Sequence, residues 1–277
     1  MPFTPTHILA VVPIAAVARG RLPFAALAIG SMVPDLPLFL PGVANYQVTH
    51  SPWGLLTADL PLGLAGFLAW RLLYRDLLFA LLPEVVRRRC AGPMRSGSGP
   101  TAGFALRAAV AVLIGASTHA AWDSFTHRDR TGTRLFPGLN ATAFVLGGHP
   151  IPSYKVLQYG CTVVGLPLLA TLSARWLRRQ PPEPLDSLPT LPTAARVAAW
   201  AIALAIPIAV AGAVAARPNL SPYRKLGSAI TGAGLIELVA LTAASVAFRA
   251  RGRWRTGHSP GIGRARTASD PSRAGEG

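Results

Sequence analysis

The chain has 277 residues, of which 51% are hydrophobic and only 14% charged, and it carries a formal charge of +16. A soluble domain has ~25% charged residues, so this composition excludes an ordinary soluble protein and indicates a polytopic membrane protein. The basic excess lies between apolar runs and in the C-terminal tail, where it reads as a topology signal and as contact with anionic lipid rather than nucleic acid.

Taken in order, the chain opens as M-P-F-T-P-T-H, with no basic residue before the first apolar stretch, which predicts no cleaved signal peptide. Residues 8–18 are apolar, but as a helix they reach only about 16 Å and contain Pro13. A short spanning half, a re-entrant piece and an interfacial helix all fit them. Residues 22–40 are long enough to span, with Asp35 near the far end between Pro34 and Pro37, where the helix should loosen. A loop carrying His50 leads to the run 54–74, which contains Asp59. Residues 76–102 form a basic loop, 103–122 a span, and 127–155 a polar loop with His149 and several glycines. Further spans are predicted at 156–174, 197–216 and 226–248, the last carrying Glu237, with a Pro-rich basic connector at 175–196. The fold expected is an all-α transmembrane helix bundle of about six long spans plus the short N-terminal helix. It would occupy residues 1–248 as one domain, followed by a disordered Arg-rich tail at 249–277. Cys90 and Cys161 form no metal or disulfide pattern.

The stretch T-H-A-A-W-D-S-F-T-H, residues 118–127, places His119, Asp123 and His127 at successive four-residue steps. On a helix this stacks them on one face, with neighbouring Cβ atoms about 6 Å apart. Two imidazoles and a carboxylate so disposed are a ligand set for a divalent cation such as zinc. The plainer alternative is a polar helix end with His119 a hydrogen-bonded interior histidine. An ionised carboxylate in hydrocarbon is costly, so Asp35 and Asp59 should face the bundle interior or water. Asp35 also fits a headgroup-level helix end, and Asp59 a cap on a helix starting at Leu60. Thr4 or Thr6 would cap the first helix and orient His7. Trp53 and Trp122 fit an interfacial aromatic belt. Glu237 reads either as a structural carboxyl or as part of a second site. His149 and His258 carry no assignment.

Sidedness follows from charge. If the first apolar piece crosses inward and the spans alternate, twenty of the 27 basic residues fall inside, seven of them tail arginines. The outer seven are Arg128, Arg130, Arg134, Lys155, Arg217, Arg224 and Lys225. The same topology puts His7, Asp35, His50, Asp59, His119, Asp123 and His127 near the outer face. It describes a multi-pass protein of the inner or plasma membrane with a cytoplasmic C-terminus.

The motifs P-F-T-P-T-H, G-S-M-V-P-D, H-S-P-W-G-L-L, D-L-P-L-G, T-H-A-A-W-D-S-F-T-H and Y-K-V-L-Q-Y-G span residues 1–248. Together they resemble a family of bacterial membrane proteins known as a domain of unknown function. A looser resemblance runs to bacterial inner-membrane proteins labelled metal-dependent hydrolases, and beyond them to the zinc-dependent phospholipase C and nuclease enzymes. Those enzymes order their ligands His, Asp, His, H-x-x-x-D, His and H-x-x-x-E. By that resemblance His7, Asp35, His50, His119 with Asp123, and His127 fill the first positions. The closing H-x-x-x-E is absent, as is an N-terminal tryptophan ligand, so one or two metals are implied rather than three. The expected function is a metal-dependent hydrolase acting on a lipid or lipid-linked phosphoester, with Asp59 as general base or as a residue orienting a ligand histidine. The alternatives are a transporter relaying protons or ions through the same groups, or a structural membrane protein with a metal-stabilised face. Paired repeats, which favour a transporter, are not visible. Membrane lipids are the expected partners, and the sequence leaves oligomeric state open.

Overall fold

The computed structural model describes residues 4–95 and 101–257. A 3-10 turn at Thr4–His7 leads into α1 (Ile8–Ala18). Arg19 and Gly20 then take left-handed conformations and turn the chain into α2 (Phe24–Gly30). A second 3-10 turn, Val33–Asp35, precedes the short helices α3 (Leu36–Phe39) and α4 (Tyr46–Thr49). A continuous helical segment follows, made of a π-helical turn at Leu55–Asp59, α5 (Leu60–Ala69), a second such turn at Trp70–Tyr74, and α6 (Arg75–Leu81). After α7 (Glu84–Arg95) come the long α8 (Ala102–Thr126), the single-turn α9 (Thr131–Leu135) and a hairpin of β1 (Thr142–Leu146) with β2 (His149–Pro152). Three long helices follow: α10 (Ser153–Arg179), α11 (Thr193–Ala215) and α12 (Pro222–Gly257).

Among the described residues, five helices are long and apolar enough to cross a membrane: Leu55–Leu81, Ala102–Thr126, Ser153–Arg179, Thr193–Ala215 and Arg224–Arg251. Their outward apolar side chains are left bare, with Val163 and Ile208 each 72% exposed. Surface of this kind in such quantity belongs against lipid, and the chain is an integral membrane protein built as a helix bundle. The expected span at 22–40 is present as an apolar segment but broken into α2, a turn and α3. Pro34 and Pro37 lack the N–H groups a continuous helix would need there. The loop expected at 127–155 folds back as the β1–β2 hairpin, turning at Gly147 and Gly148 with positive φ. At the C-terminus α12 continues to Gly257, and its Arg249 pairs with Asp76 at 3.0 Å. Residues 249–257 are thus helical where a disordered tail is expected, because the helix simply runs on past its apolar part. Residues 258–277, with His258, lie outside the described residues.

The core that positions the site is the seam between α2 and α8. Ala26, Leu27, Ala108, Ala111 and Val112 are buried there with Val11 and Phe67. Small residues let the two backbones touch, as in membrane helix pairs generally. A Cβ on Gly115 would overlap the Leu27 carbonyl and the Ser31 nitrogen, and one on Gly30 would overlap the Val112 carbonyl. Gly115→Ala is therefore expected to lower stability by about 1–3 kcal/mol, read as thermal unfolding in detergent. Gly103→Ala on the same helix, where a Cβ meets nothing within 4 Å, serves as the neutral control.

Candidate metal centre

The end of α8 gathers several short segments around it. The turn Val33–Asp35 and the π-helical turn Leu55–Asp59 pack against it, α4 packs on both turns, and the turn Thr4–His7 lays the His7 ring on that of His119. The two turns deliver Asp35 and Asp59, the residue after α4 is His50, and the first turn ends in His7. His7, Asp35, Asp59, His119 and Asp123 are buried, and the side chain of His50 is only 2% exposed.

Distances within the cluster are short and mixed in charge. The His119 Nε2 atom lies 3.6 Å from Asp35 Oδ1 and 3.4 Å from Asp123 Oδ2. His50 Nε2 lies 3.7 Å and 3.5 Å from the same two oxygens. These separations are too long for good hydrogen bonds. All four atoms are buried and have no hydrogen-bond partner among the described residues. Buried polar atoms left so are costly and call for an explanation. An ion held tetrahedrally at ~2.0–2.2 Å would space its ligand atoms ~3.3–3.6 Å apart, and the four histidine–carboxylate edges, at 3.4–3.7 Å, lie in or just beyond that range. Asp35, His50, His119 and Asp123 each offer an atom within 4.8 Å of all the others, and the group is one that could hold a metal ion.

The far side of each ligand is fixed. His119 Nδ1 sits 2.8 Å from the Ser31 carbonyl and His50 Nδ1 2.9 Å from the Tyr46 carbonyl. Donation of each Nδ1–H to those oxygens turns the Nε2 lone pair toward the centre. Thr4 Oγ1 donates to Asp35 Oδ2 at 2.8 Å, leaving Oδ1 to face inward. Thr49 Oγ1 donates to the Pro34 carbonyl and so ties α4 to the Asp35 turn. Burial disfavours a charged His50, but the Asp123 and Asp35 carboxylates outweigh it and raise its pKa.

His7 and His127 flank this group rather than complete it. His7 stacks on His119 with ring centres 3.8 Å apart, its Nε2 lying 3.5 Å from Asp123 Oδ1. His7 itself stands at the N-cap of α1 without a side-chain cap bond, and Thr4, expected as a cap, is engaged with Asp35. His127 leaves the helical register expected for it, because α8 ends at Thr126 and His127 is extended. Its Nδ1 remains 3.4 Å from Asp123 Oδ2, while Nε2 meets the Gln158 amide at 3.2 Å. Burial lowers its pKa.

Asp59 does not cap α5. The helix runs through it from Leu55 without a side-chain cap, and Pro61, lacking an N–H for the Thr57 carbonyl, accounts for the widened turn. Both its oxygens are buried and unpartnered among the described residues, and its charge interacts with those of His50 and His119. Glu237, half-buried on α12, lines an apolar cavity elsewhere, and His149 is exposed on β2. Gln158, buried in the stretch Y-K-V-L-Q-Y-G, was legible only as part of a motif. The Ser31 and Tyr46 carbonyls have no sequence signature at all.

Fold and cluster together define a polytopic helical membrane protein with a buried histidine–aspartate centre at one end of the bundle. The chain belongs to the family described as Domain of unknown function (DUF4184), whose model matches residues 1–247. No curated protein and no solved structure is detectably similar to it.

Proposed function

We propose that the protein is a membrane-embedded metal-dependent hydrolase acting on a lipid or lipid-linked phosphoester at the outer membrane face. The observation that carries this reading is the set of four buried donor atoms of Asp35, His50, His119 and Asp123, unpartnered among the described residues, with each histidine nitrogen 3.4–3.7 Å from both carboxylate oxygens. Imidazole and carboxylate donors without cysteine suit zinc or a comparable divalent ion. Such an ion, when bound, supplies Lewis acidity, stabilising charge on a phosphoryl oxygen and acidifying water. Asp59, buried and free of hydrogen bonds among the described residues, is placed to take a proton as general base. His7 lies against the outer oxygen of Asp123 and His127 against its inner one, and Arg130, bonded to the His50 carbonyl at 3.2 Å, brings positive charge beside the centre for a phosphate. The outer placement rests on the basic asymmetry of the loops.

Asp59→Asn is expected to keep the metal and lose turnover by ~10²-fold or more. The assay uses purified protein, a divalent ion, and a panel of phospholipid and lipid-linked phosphate substrates. Four protein donors fill a tetrahedron, and this favours a second reading in which the ion is structural. The same assay separates the two: a structural ion gives stoichiometric metal in the wild type and turnover of nothing in the panel.

A further inference from the structure

At the other end of the bundle a cavity of about 2460 Å³ opens between the α5–α6 segment, the start of α8 and the α11–α12 pair. Small-molecule sites occupy ~300–1,000 Å³, so this one has room for long acyl chains. Its walls are mainly apolar, with Phe67, Trp70, Phe104 and Ile206 among them. Its charged lining is mainly basic: Arg71, Arg75, Arg249 and Arg251 face it against two carboxylates, Asp76 and Glu237. Asp76 is shared between two of the arginines, 3.5 Å from Arg75 and 3.0 Å from Arg249, and Arg71 lies over the Phe104 ring at 4.6 Å. The Nε of Arg249 is buried with no hydrogen-bond partner among the described residues. Phe104 at the cavity and His119 at the metal centre are fifteen residues apart on α8, or about 22 Å along its axis.

We infer that this cavity binds one anionic glycerophospholipid, its acyl chains along the apolar walls and its phosphate among Arg71, Arg75, Arg249 and Arg251. Basic pockets between membrane helices select anionic headgroups in this way. The ~22 Å separation keeps that phosphate from the histidine–aspartate cluster. The lipid is thus a bound component that wedges the α11–α12 pair against the rest of the bundle, and it is not the hydrolytic substrate. This inference does not depend on the metal centre.

The test uses full-length protein, delipidated in detergent and offered dioleoyl phosphatidylglycerol or dioleoyl phosphatidylcholine, with retained lipid counted by native mass spectrometry. The expected result is about one phosphatidylglycerol per chain and little phosphatidylcholine, with each of Arg71→Gln and Arg251→Gln lowering the preference about fivefold. A second variant, Ala203→Phe with Ala240→Phe, fills the cavity without touching charge and is expected to abolish retention while metal content stays at the wild-type level. Equal retention of both lipids, no retention of either, or retention undiminished in the filled variant overturns the inference.

Discussion

Replacing His119 by alanine is expected to abolish stoichiometric metal binding while leaving the protein inserted in the membrane. His119 Nε2 lies 3.6 Å and 3.4 Å from the two carboxylates of the cluster, and its Nδ1 is anchored on the Ser31 carbonyl, whereas His7, stacked on it, turns its Nε2 to the other Asp123 oxygen. Losing even an outer hydrogen-bond partner of a ligand weakens metal binding ~10–100-fold, and losing a ligand should exceed that. The helix itself does not depend on the imidazole, since α8 is fixed by Ala108, Ala111, Val112 and Gly115 against α2. The check is metal content alongside membrane yield and thermal stability. Normal metal content in His119→Ala would remove His119 from the centre.

The second large effect concerns metal removal from the wild type. Without an ion, Asp35 and Asp123 remain as buried carboxylates with four donor atoms facing one another unsatisfied. An ion present at ~1,000 times its Kd would stabilise the fold by about 4 kcal/mol. For a chain this size that corresponds to a fall in Tm of roughly 8–16 °C on chelation. The same chelator should leave the Tm of His119→Ala unmoved. A wild-type Tm indifferent to chelator and to added divalent ions would count against a metal at this position.

Much of this centre was legible because its chemistry is carried by side chains whose spacing follows helix geometry. The step from His119 to Asp123 is one turn of α8, and both point into the cluster. The same rule misplaced His127, since it assumed that α8 continues one residue further than it does. Pro34 and Pro37 announced a loosened helix at Asp35, and the structure carries this to a full break. Residues such as Thr4, which bonds Asp35 across 31 positions, could not be assigned because long-range pairing leaves no local periodicity. The hairpin lies within the polar loop predicted at 127–155, where strands of five and four residues are too short to stand out by periodicity.

The most direct measurement is elemental analysis of wild-type protein purified in detergent without chelators, set beside His119→Ala prepared identically. One divalent ion per chain in the wild type, and none in the variant, is the result expected from the four donor atoms of Asp35, His50, His119 and Asp123. Wild-type protein carrying no stoichiometric divalent metal, and taking none up on reconstitution, would contradict the metal centre and the hydrolytic function proposed for it.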